Sequence, residues 1–187
     1  MTAPVSTTRV VVADGEAMHD LGRRIAVHLR AGDLVVLTGA LGAGKTTLTQ
    51  GIGSGLRVRG PITSPTFVIA RVHPSEVGGC ALVHVDAYRL GSIAEVDDLD
   101  LDATLESSVT VVEWGEGLVD DLASDRLDIA IDRPRGEHIA GPDGDRQVAH
   151  PGPDAQPRTV TVSSLGGRWA DVDWADVGGA GVISATP

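Results

Sequence analysis

The sequence predicts a three-layer α/β fold, in which a mixed, mainly parallel sheet with antiparallel edge strands lies between layers of helices. Apolar runs that are typical of buried parallel strands occur at residues 33–38, 81–86 and 109–113. Helical patterns separate these runs, which favours parallel connections. Residues 126–132 and 158–163 instead alternate between apolar and polar side chains. That alternation predicts antiparallel strands at an edge of the sheet.

The first elements in the chain are a strand and an amphipathic helix. Residues 9–13 form a short apolar run, and Asp14 follows it as a candidate helix N-cap. We expect the helix to pack one face on the sheet, because its apolar side chains recur at helical spacing. Those side chains are Met18, Leu21, Ile25 and Leu29.

A glycine-rich loop follows the run at 33–38 and matches the pattern G-x-x-x-x-G-K-[ST], with a plausible helix after it. Strand, glycine loop and helix is the arrangement of a P-loop, in which backbone N–H groups and the positive end of the helix dipole bind phosphate oxygens. We therefore predict a P-loop NTPase fold. The predicted nucleotide-contacting residues of the loop are Gly39, Leu41, Gly42, Ala43, Gly44, Lys45, Thr46 and Thr47.

Two side chains of this loop have predicted chemical roles. Lys45 would reach the β and γ phosphates, and Thr46 would place its hydroxyl on Mg²⁺. Lys45 is also the only lysine among the 15 basic Lys and Arg residues of the sequence. A compact ammonium is thus retained at the position where it would lie along a phosphate chain.

A polar loop at residues 57–66 connects the P-loop helix to a strand that we expect at 67–72. Two prolines restrict the backbone of this loop. Ser64 and Thr66 supply hydroxyls that could meet a γ-phosphate or the water shell of a metal, as in a switch loop. The alternative is a connecting loop that simply contains these residues.

Two of the apolar runs end in an acidic residue, Asp86 and Glu113. In an open α/β sheet, ligands bind at the carboxyl ends of the strands, where these carboxylates would lie. Each could hold a metal ion or orient a water molecule for attack. Either residue could be the Walker B carboxylate, and the spacing alone does not choose between them.

The second half of the chain shows two changes of composition. Residues 134–157 are rich in Pro, Gly and Asp and lack an apolar pattern, which predicts a flexible surface insertion. Periodicity is lost after residue 165, so we expect a partly disordered C-terminal tail at 166–187. Trp169 and Trp174 could pin part of that tail to the body. Residues 1–165 would then form one P-loop domain.

The formal net charge of −11 argues against a broad nucleic-acid-binding surface on this protein, because Lys and Arg supply most of such binding. If RNA is involved, a partner would carry it. A single cysteine, Cys80, rules out an intramolecular disulfide and fits a reducing cytoplasm. The sequence has neither a signal-peptide core nor a run of 18 apolar residues, so we expect a cytoplasmic protein without a membrane span.

Four motifs together resemble the TsaE family, the small bacterial P-loop ATPases of tRNA threonylcarbamoyladenosine synthesis. Their order and spacing cover residues 8 to about 164. The P-loop is shared by many families, whereas the Ser-Pro-Thr-aromatic and His-x-Asp-x-Tyr-Arg motifs are specific in combination. The four motifs are the loop at 39–47, Thr63-Ser64-Pro65-Thr66-Phe67, His84-Val85-Asp86-Ala87-Tyr88-Arg89-Leu90, and Glu113-Trp114.

The resemblance implies an ATPase that binds a complex of the TsaD and TsaB proteins. It would support tRNA modification at adenosine 37 without transferring the threonylcarbamoyl group itself. ATP and Mg²⁺ would bind at the P-loop, with Thr46 and Glu113 holding the metal and Asp86 needed for hydrolysis. Residues 64–66 would form a switch-like loop. The resemblance also places Trp114 and Arg158 near the nucleotide.

Three other classes of P-loop protein are alternatives. A small-molecule kinase would need an acceptor pocket and an arginine-bearing lid, for which the candidates are Arg133, Arg135 and Arg146. A GTPase switch commonly reads guanine with an Asn-Lys-x-Asp element, and the sequence contains no asparagine. A binding module, whose nucleotide only gates assembly, overlaps with the ATPase interpretation. The kinase is therefore the main alternative.

Overall fold

The computed structural model describes residues 4–65, 67–133 and 156–186. Strands and helices alternate through the first of these ranges, as the sequence pattern predicts. The bounds of the strands and α-helices in all the described ranges, in chain order, are β1 (Pro4–Val12), α1 (Gly15–Ala26), β2 (Leu34–Gly39), α2 (Lys45–Leu56), β3 (Ala70–His73), β4 (Ala81–Asp86), α3 (Ile93–Asp97), α4 (Leu101–Leu105), β5 (Ser108–Glu113), β6 (Arg126–Asp132), β7 (Arg158–Leu165), α5 (Trp174–Gly178) and β8 (Val182–Thr186).

The described strands form one eight-stranded sheet in the order β3-β4-β5-β2-β6-β7-β1-β8. Its inner strands β4, β5, β2 and β6 run parallel, and the pairings outside them are antiparallel. The predicted mixed sheet is confirmed. The expectation of a mainly parallel sheet is wrong for the described strands, because the two ends of the chain, β1 and β8, both extend the antiparallel side.

Strand β2 is buried on both faces and shows how the layers are arranged. Val35 and Leu37 belong to a large apolar core that includes the inner faces of α1 and α2. Leu34 and Val36 point the opposite way, into a smaller core that includes Val96 of α3 and residues of α4. Because alternate strand residues face opposite sides of a sheet, the continuous apolar run of β2 serves both cores. The three layers predicted from the sequence are present.

Helix α1 begins as predicted, because the Oδ1 atom of Asp14 accepts a hydrogen bond from the N–H of Ala17 at 2.9 Å. The helix then packs closely along α2 through glycines. A Cβ atom added to Gly22 or Gly51 would overlap the backbone of the opposite helix. Only glycine permits this approach, because it has no Cβ atom. The contact holds α2, and with it the loop before α2, close to α1.

The connection before β3 differs from the expected strand at 67–72. The strand begins only at Ala70, and Phe67 is 90% exposed in a turn. Ile69 in this turn has a φ of 68°. A β-branched residue in the left-handed region is strained, so this turn stores backbone strain of order 1–3 kcal/mol.

The C-terminal segment is folded instead of forming the expected loose tail. Residues 166–186 contain α5 and β8, and β8 pairs with β1 at the edge of the sheet. Trp169 and Trp174 are 1% and 3% exposed and belong to the large core. The expectation of partial disorder is wrong for residues 166–186, because two large aromatic side chains bury this short, glycine-rich segment against the sheet.

Some sequence predictions fall outside the described residues. These include Thr66 and the predicted surface insertion at 134–157, of which the structure describes only Gln156 and Pro157. Among the helices in the described ranges, none has both the length and the apolar character needed to cross a bilayer.

Candidate functional site

The loop between β2 and α2 is shaped by its glycines. Gly39, Gly42 and Gly44 have φ values of 144°, 74° and 114°, which residues with a side chain rarely adopt. A Cβ atom at Gly39 would also lie 2.5 Å from the carbonyl oxygen of Ile131. The loop leads into the N-terminus of α2, where the first N–H groups have no acceptor within the helix. These N–H groups and the helix dipole create a site that favours an anion.

Lys45, the first residue of α2, lies inside this loop with 4% of its surface exposed. Its Nζ atom donates to the carbonyl oxygens of Gly39 and Ala40 at 2.8 and 3.2 Å. It also lies 3.8 Å from the centre of the Trp114 ring. Burial lowers the pKa of Lys45, while the carboxylates of Glu113 and Asp86 act in the opposite direction.

Thr46 contacts the acid at the end of β5. Its Oγ1 atom donates a hydrogen bond to Oε1 of Glu113 at 2.9 Å. A hydroxyl has one proton and two lone pairs, so this donation leaves the lone pairs of Thr46 available to a cation. Glu113 is 3% exposed, so its carboxylate is buried beside the first turn of α2.

Asp86 ends the neighbouring strand and lies directly opposite Glu113 in the parallel pairing of β4 with β5. Its Oδ2 atom accepts a hydrogen bond from Oγ of Ser64 at 3.0 Å, and its Oδ1 atom accepts from the N–H of Tyr88 at 3.1 Å. The two acids therefore differ in their contacts. Glu113 touches the P-loop helix, and Asp86 touches the loop that contains Ser64.

These groups line one cavity of about 580 Å³ at the carboxyl ends of the parallel strands. Its volume is within the range of small-ligand sites, and its position is the one expected for an open α/β sheet. The predicted site residues in its lining are Leu41, Gly42, Gly44, Lys45, Thr46, Thr47, Ser64, Asp86, Glu113, Trp114 and Arg158.

Two predicted site residues do not line the cavity, and a third lies outside the described residues. Ala43 is 1% exposed, and its side chain packs in the large core and anchors the loop there. Gly39 packs against β6. Thr66 lies outside the described residues. Tyr88, which the sequence analysis did not predict as a site residue, lines the cavity.

The exposed rim of the cavity is formed by Leu41 and Tyr88, which line it and are 91% and 65% exposed. Tyr88 stacks in a tilted orientation on Trp114, with their ring centres 5.2 Å apart. Trp114 itself has a φ of 63°. These large side chains lie outside the main cores, so their packing adds little to the stability of the fold.

Arg158 reaches the cavity from the first position of β7, although it is 4% exposed. Its Nη1 atom donates to the carbonyl oxygen of Gln156 at 3.2 Å. A Cβ atom at Gly44 would lie 3.8 Å from its Cδ atom, so its alkyl chain lies against the glycine loop. The antiparallel side of the sheet thus contributes one guanidinium to the site.

A protein-family model described as threonylcarbamoyl adenosine biosynthesis protein TsaE matches residues 12–139. This span contains the P-loop, both strand-end acids and the loop that contains Ser64. The chain belongs to the TsaE family. The family membership predicted from the four motifs is therefore confirmed.

Two curated TsaE proteins and one solved structure illustrate the similarity. The tRNA threonylcarbamoyladenosine biosynthesis protein TsaE of Streptomyces coelicolor is 58% identical over 157 residues, which cover 83% of this chain and 96% of that protein. The Mycobacterium tuberculosis protein of the same name is 53% identical over 120 residues, covering 60% of this chain and 71% of that protein. The crystal structure of Bacillus subtilis YdiB has a TM-score of 0.61 and 26% identity, over 87% of this chain and 88% of that one.

One buried residue of this TsaE-family chain was not predicted to contribute to the site. His84 is fully buried, and its Nε2 atom lies 2.9 Å from Oε1 of Glu113. The sequence analysis quoted His84 within a motif without giving it a role. A signal was available, because His84 and Asp86 are two positions apart on one strand and therefore share a face of the sheet.

Proposed function

We propose that this protein is a weak, Mg²⁺-dependent ATPase that supports the N6-threonylcarbamoyl modification of adenosine 37 in tRNA by a TsaD–TsaB complex. It does not transfer the threonylcarbamoyl group itself. The observation that carries the proposal is the contact of Thr46 with Glu113 next to Lys45 in the glycine loop. Phosphoryl transfer is catalysed by positioning and by electrostatic stabilisation, which this group of residues can supply.

Thr46 and Glu113 are the proposed Mg²⁺ ligands. Both offer oxygen atoms, which Mg²⁺ prefers, and Mg²⁺ sites commonly use one or two carboxylates together with waters and substrate phosphates. The described residues contain no group of three or more His, Cys, Asp and Glu side chains that could hold a metal. A site with few protein ligands therefore fits Mg²⁺ that arrives with a nucleotide. When bound, Mg²⁺ neutralises developing charge on the phosphates.

Lys45, Asp86 and Glu113 are the proposed catalytic residues. The ammonium of Lys45 would leave the carbonyl oxygens of Gly39 and Ala40 to bind the β and γ phosphates. Asp86 is close to the same cavity and is proposed to support hydrolysis by orienting the attacking water. The backbone N–H groups of the loop would hold the remaining phosphate oxygens.

The loop that contains Ser64 is the proposed switch. Its hydrogen bond to Asp86 connects it directly to a proposed catalytic carboxylate. The strained backbone at Ile69 lies just after this loop, and the carbonyl oxygen of Ile69 accepts a hydrogen bond from the N–H of Asp86 at 2.8 Å. Strain of this kind is typical of segments with two alternative conformations. Thr66 is proposed to act with Ser64, as the family resemblance implies.

The partners are proposed from family membership together with charge. A net charge of −11 disfavours direct binding to the phosphate backbone of tRNA. We therefore propose that the protein reaches tRNA through the TsaD–TsaB complex in the cytoplasm. The exposed rim is a surface through which nucleotide and partner binding could be coupled, because it borders the cavity.

The decisive experiment follows the γ-phosphate of labelled ATP. Incubation with Mg²⁺ and a titration of TsaD–TsaB should release free phosphate slowly at first, and the rate should change as the complex is added. Label appearing on a small molecule would contradict the ATPase proposal and favour the kinase alternative. A rate that stays flat across the titration would contradict the partner proposal.

A further inference from the structure

His84 lies on β4 in the interior of the protein, and its side chain connects β4 to β5. It is opposite Val111 in the register of these strands, so its contact with Glu113 runs diagonally toward their carboxyl ends. The Nε2 atom of His84 and Oε1 of Glu113 are 2.9 Å apart, and their side chains are 0% and 4% exposed. Because the ring of His84 is fully buried, neighbouring side chains restrict its orientation toward Glu113.

The same carboxylate oxygen has two donors. Thr46 donates its only hydroxyl proton to Oε1 of Glu113. A carboxylate can only accept hydrogen bonds, so in this contact Nε2 of His84 carries a proton and donates to Oε1. Glu113 is thus held from the interior by His84 and from the cavity side by Thr46.

The other ring nitrogen of His84 indicates the same tautomer. Its Nδ1 atom is buried and has no hydrogen-bond partner among the described residues. An N–H group at Nδ1 would be an orphaned buried donor, which proteins rarely tolerate, whereas an unused lone pair costs less. The N–H that contacts Glu113 is therefore the one on Nε2.

We propose that His84 is a positioning residue that fixes the carboxylate of Glu113, and through it the hydroxyl of Thr46, in the orientation that binds Mg²⁺ together with a nucleotide. This inference rests on the proposed Mg²⁺-ATP site. Metal ligands are commonly oriented by a second hydrogen-bonding residue, and losing that residue typically costs 10- to 100-fold in metal affinity. His84 itself does not line the cavity, and it reaches the site through Glu113.

The test measures metal binding separately from nucleotide binding. In one titration, Mn²⁺ is added to the full-length protein in the presence of saturating ADP, and electron paramagnetic resonance measures the bound metal. In a second titration, ADP is added without metal to measure nucleotide affinity. His84→Leu removes the donor. His84→Gln keeps an N–H near the position of Nε2, whereas the shorter amide of His84→Asn does not reach Glu113. The matched control is His73→Leu, because His73 is a buried histidine on β3 whose ring contacts the carbonyl oxygen of Arg59.

We expect His84→Leu and His84→Asn to bind Mn²⁺ about 10- to 100-fold more weakly than the wild type, with unchanged affinity for ADP alone. His84→Gln should recover most of the metal affinity, and His73→Leu should match the wild type. If His84→Leu does not fold, the comparison of His84→Gln with His84→Asn decides the question.

Three results would overturn the inference. The first is wild-type Mn²⁺ affinity in both His84→Leu and His84→Asn. The second is an equal loss in His84→Gln and His84→Asn, and the third is an equal loss in His73→Leu, since a general packing defect would explain either. Failure of the wild type to bind Mn²⁺ with ADP would instead refute the proposed function, and this inference with it.

Discussion

On the parallel side of the sheet, buried charged side chains converge at the carboxyl ends of the strands. On the antiparallel side, aromatic and polar side chains instead hold the C-terminal segment against the sheet. Lys45, Asp86 and Glu113 are at most 5% exposed, yet all three line a cavity. Burying charge is costly, so its retention at a cavity indicates selection for binding or chemistry.

Apart from Arg158, which lines the cavity, the antiparallel side uses buried Trp169 and half-buried Arg168 for attachment. Trp169 packs in the large core, and the guanidinium of Arg168 donates to both carboxylate oxygens of Asp33 at 3.2 and 3.0 Å and to the carbonyl oxygen of His28 at 2.7 Å. These contacts connect residues far apart in sequence. Changes on the two sides should therefore affect different measurements, ligand turnover on one and the free energy of unfolding on the other.

The largest expected effect lies on the antiparallel side. Trp169→Ala should lower the free energy of unfolding by about 3–5 kcal/mol, because it empties a fully buried aromatic site. Urea denaturation measures this value. The matched control is Ile183→Ala on β8, where the side chain is 61% exposed and the change should stay within about 0.5 kcal/mol. A loose C-terminal segment would give equal, small effects for both variants.

Lys45→Ala should produce the opposite pattern on the parallel side. Removing the ammonium should reduce ATP turnover by about 10²- to 10³-fold, the loss typical of a group that stabilises transition-state charge. The fold should remain intact, with an unchanged far-ultraviolet circular dichroism spectrum. Phosphate release under saturating ATP is the measurement. Unchanged turnover would remove the P-loop from the mechanism.

The contact between α1 and α2 belongs to both regions, because it supports the P-loop from outside the cavity. Gly51→Ala should lower the free energy of unfolding by about 1–3 kcal/mol, since the added methyl overlaps the carbonyl oxygen of His19. In an ordinary helix the same change is stabilising. Gly15→Ala is the control, because nothing lies within 4 Å of its new Cβ atom. A stabilised Gly51→Ala variant would contradict the close helix packing.

The smallest expected effect is a pH dependence at the β3 edge of the sheet. Burial lowers the pKa of His73 below its ordinary value near 6.5. Below that ordinary value the unfolded chain takes up a proton that the folded protein resists, so stability falls as the pH drops from about 7 toward the lowered pKa. His73→Gln should lose less stability than the wild type between pH 7.5 and 5.5 in urea titrations. Parallel pH profiles for the two proteins would refute this assignment.

Local patterns predicted the elements around the P-loop, because their signals lie within short stretches. Asp14 caps α1 as expected, and the apolar run of β2 is buried on both faces. The two strand-end acids also lie side by side, since parallel strands end at the same edge of the sheet. The spacing alone did not show which acid contacts Thr46, because that depends on how α2 packs against β5, and only the family resemblance paired Thr46 with Glu113.

Contacts between residues far apart in sequence explain why the C-terminal segment and His84 were not predicted correctly. The pattern after residue 165 lacks periodicity, and its structure comes from Trp169 and Trp174 packing on distant elements and from β8 pairing with β1. His84 was overlooked for a similar reason. Its spacing from Asp86 showed a shared face of the strand, but its contact lies 29 residues away on the next strand, so the partner Glu113 is seen only in the structure.

The burial of the only lysine has a practical consequence for chemical labelling. Apart from the α-amino group, Lys45 is the sole primary amine of the chain, and it is 4% exposed within the cavity. The protein surface therefore carries no lysine that amine-reactive cross-linkers, biotin esters or acetylating reagents could modify. An acylating reagent small enough to enter the cavity would modify one side-chain amine besides the α-amino group, so protection of Lys45 from that reagent would measure occupancy of the loop.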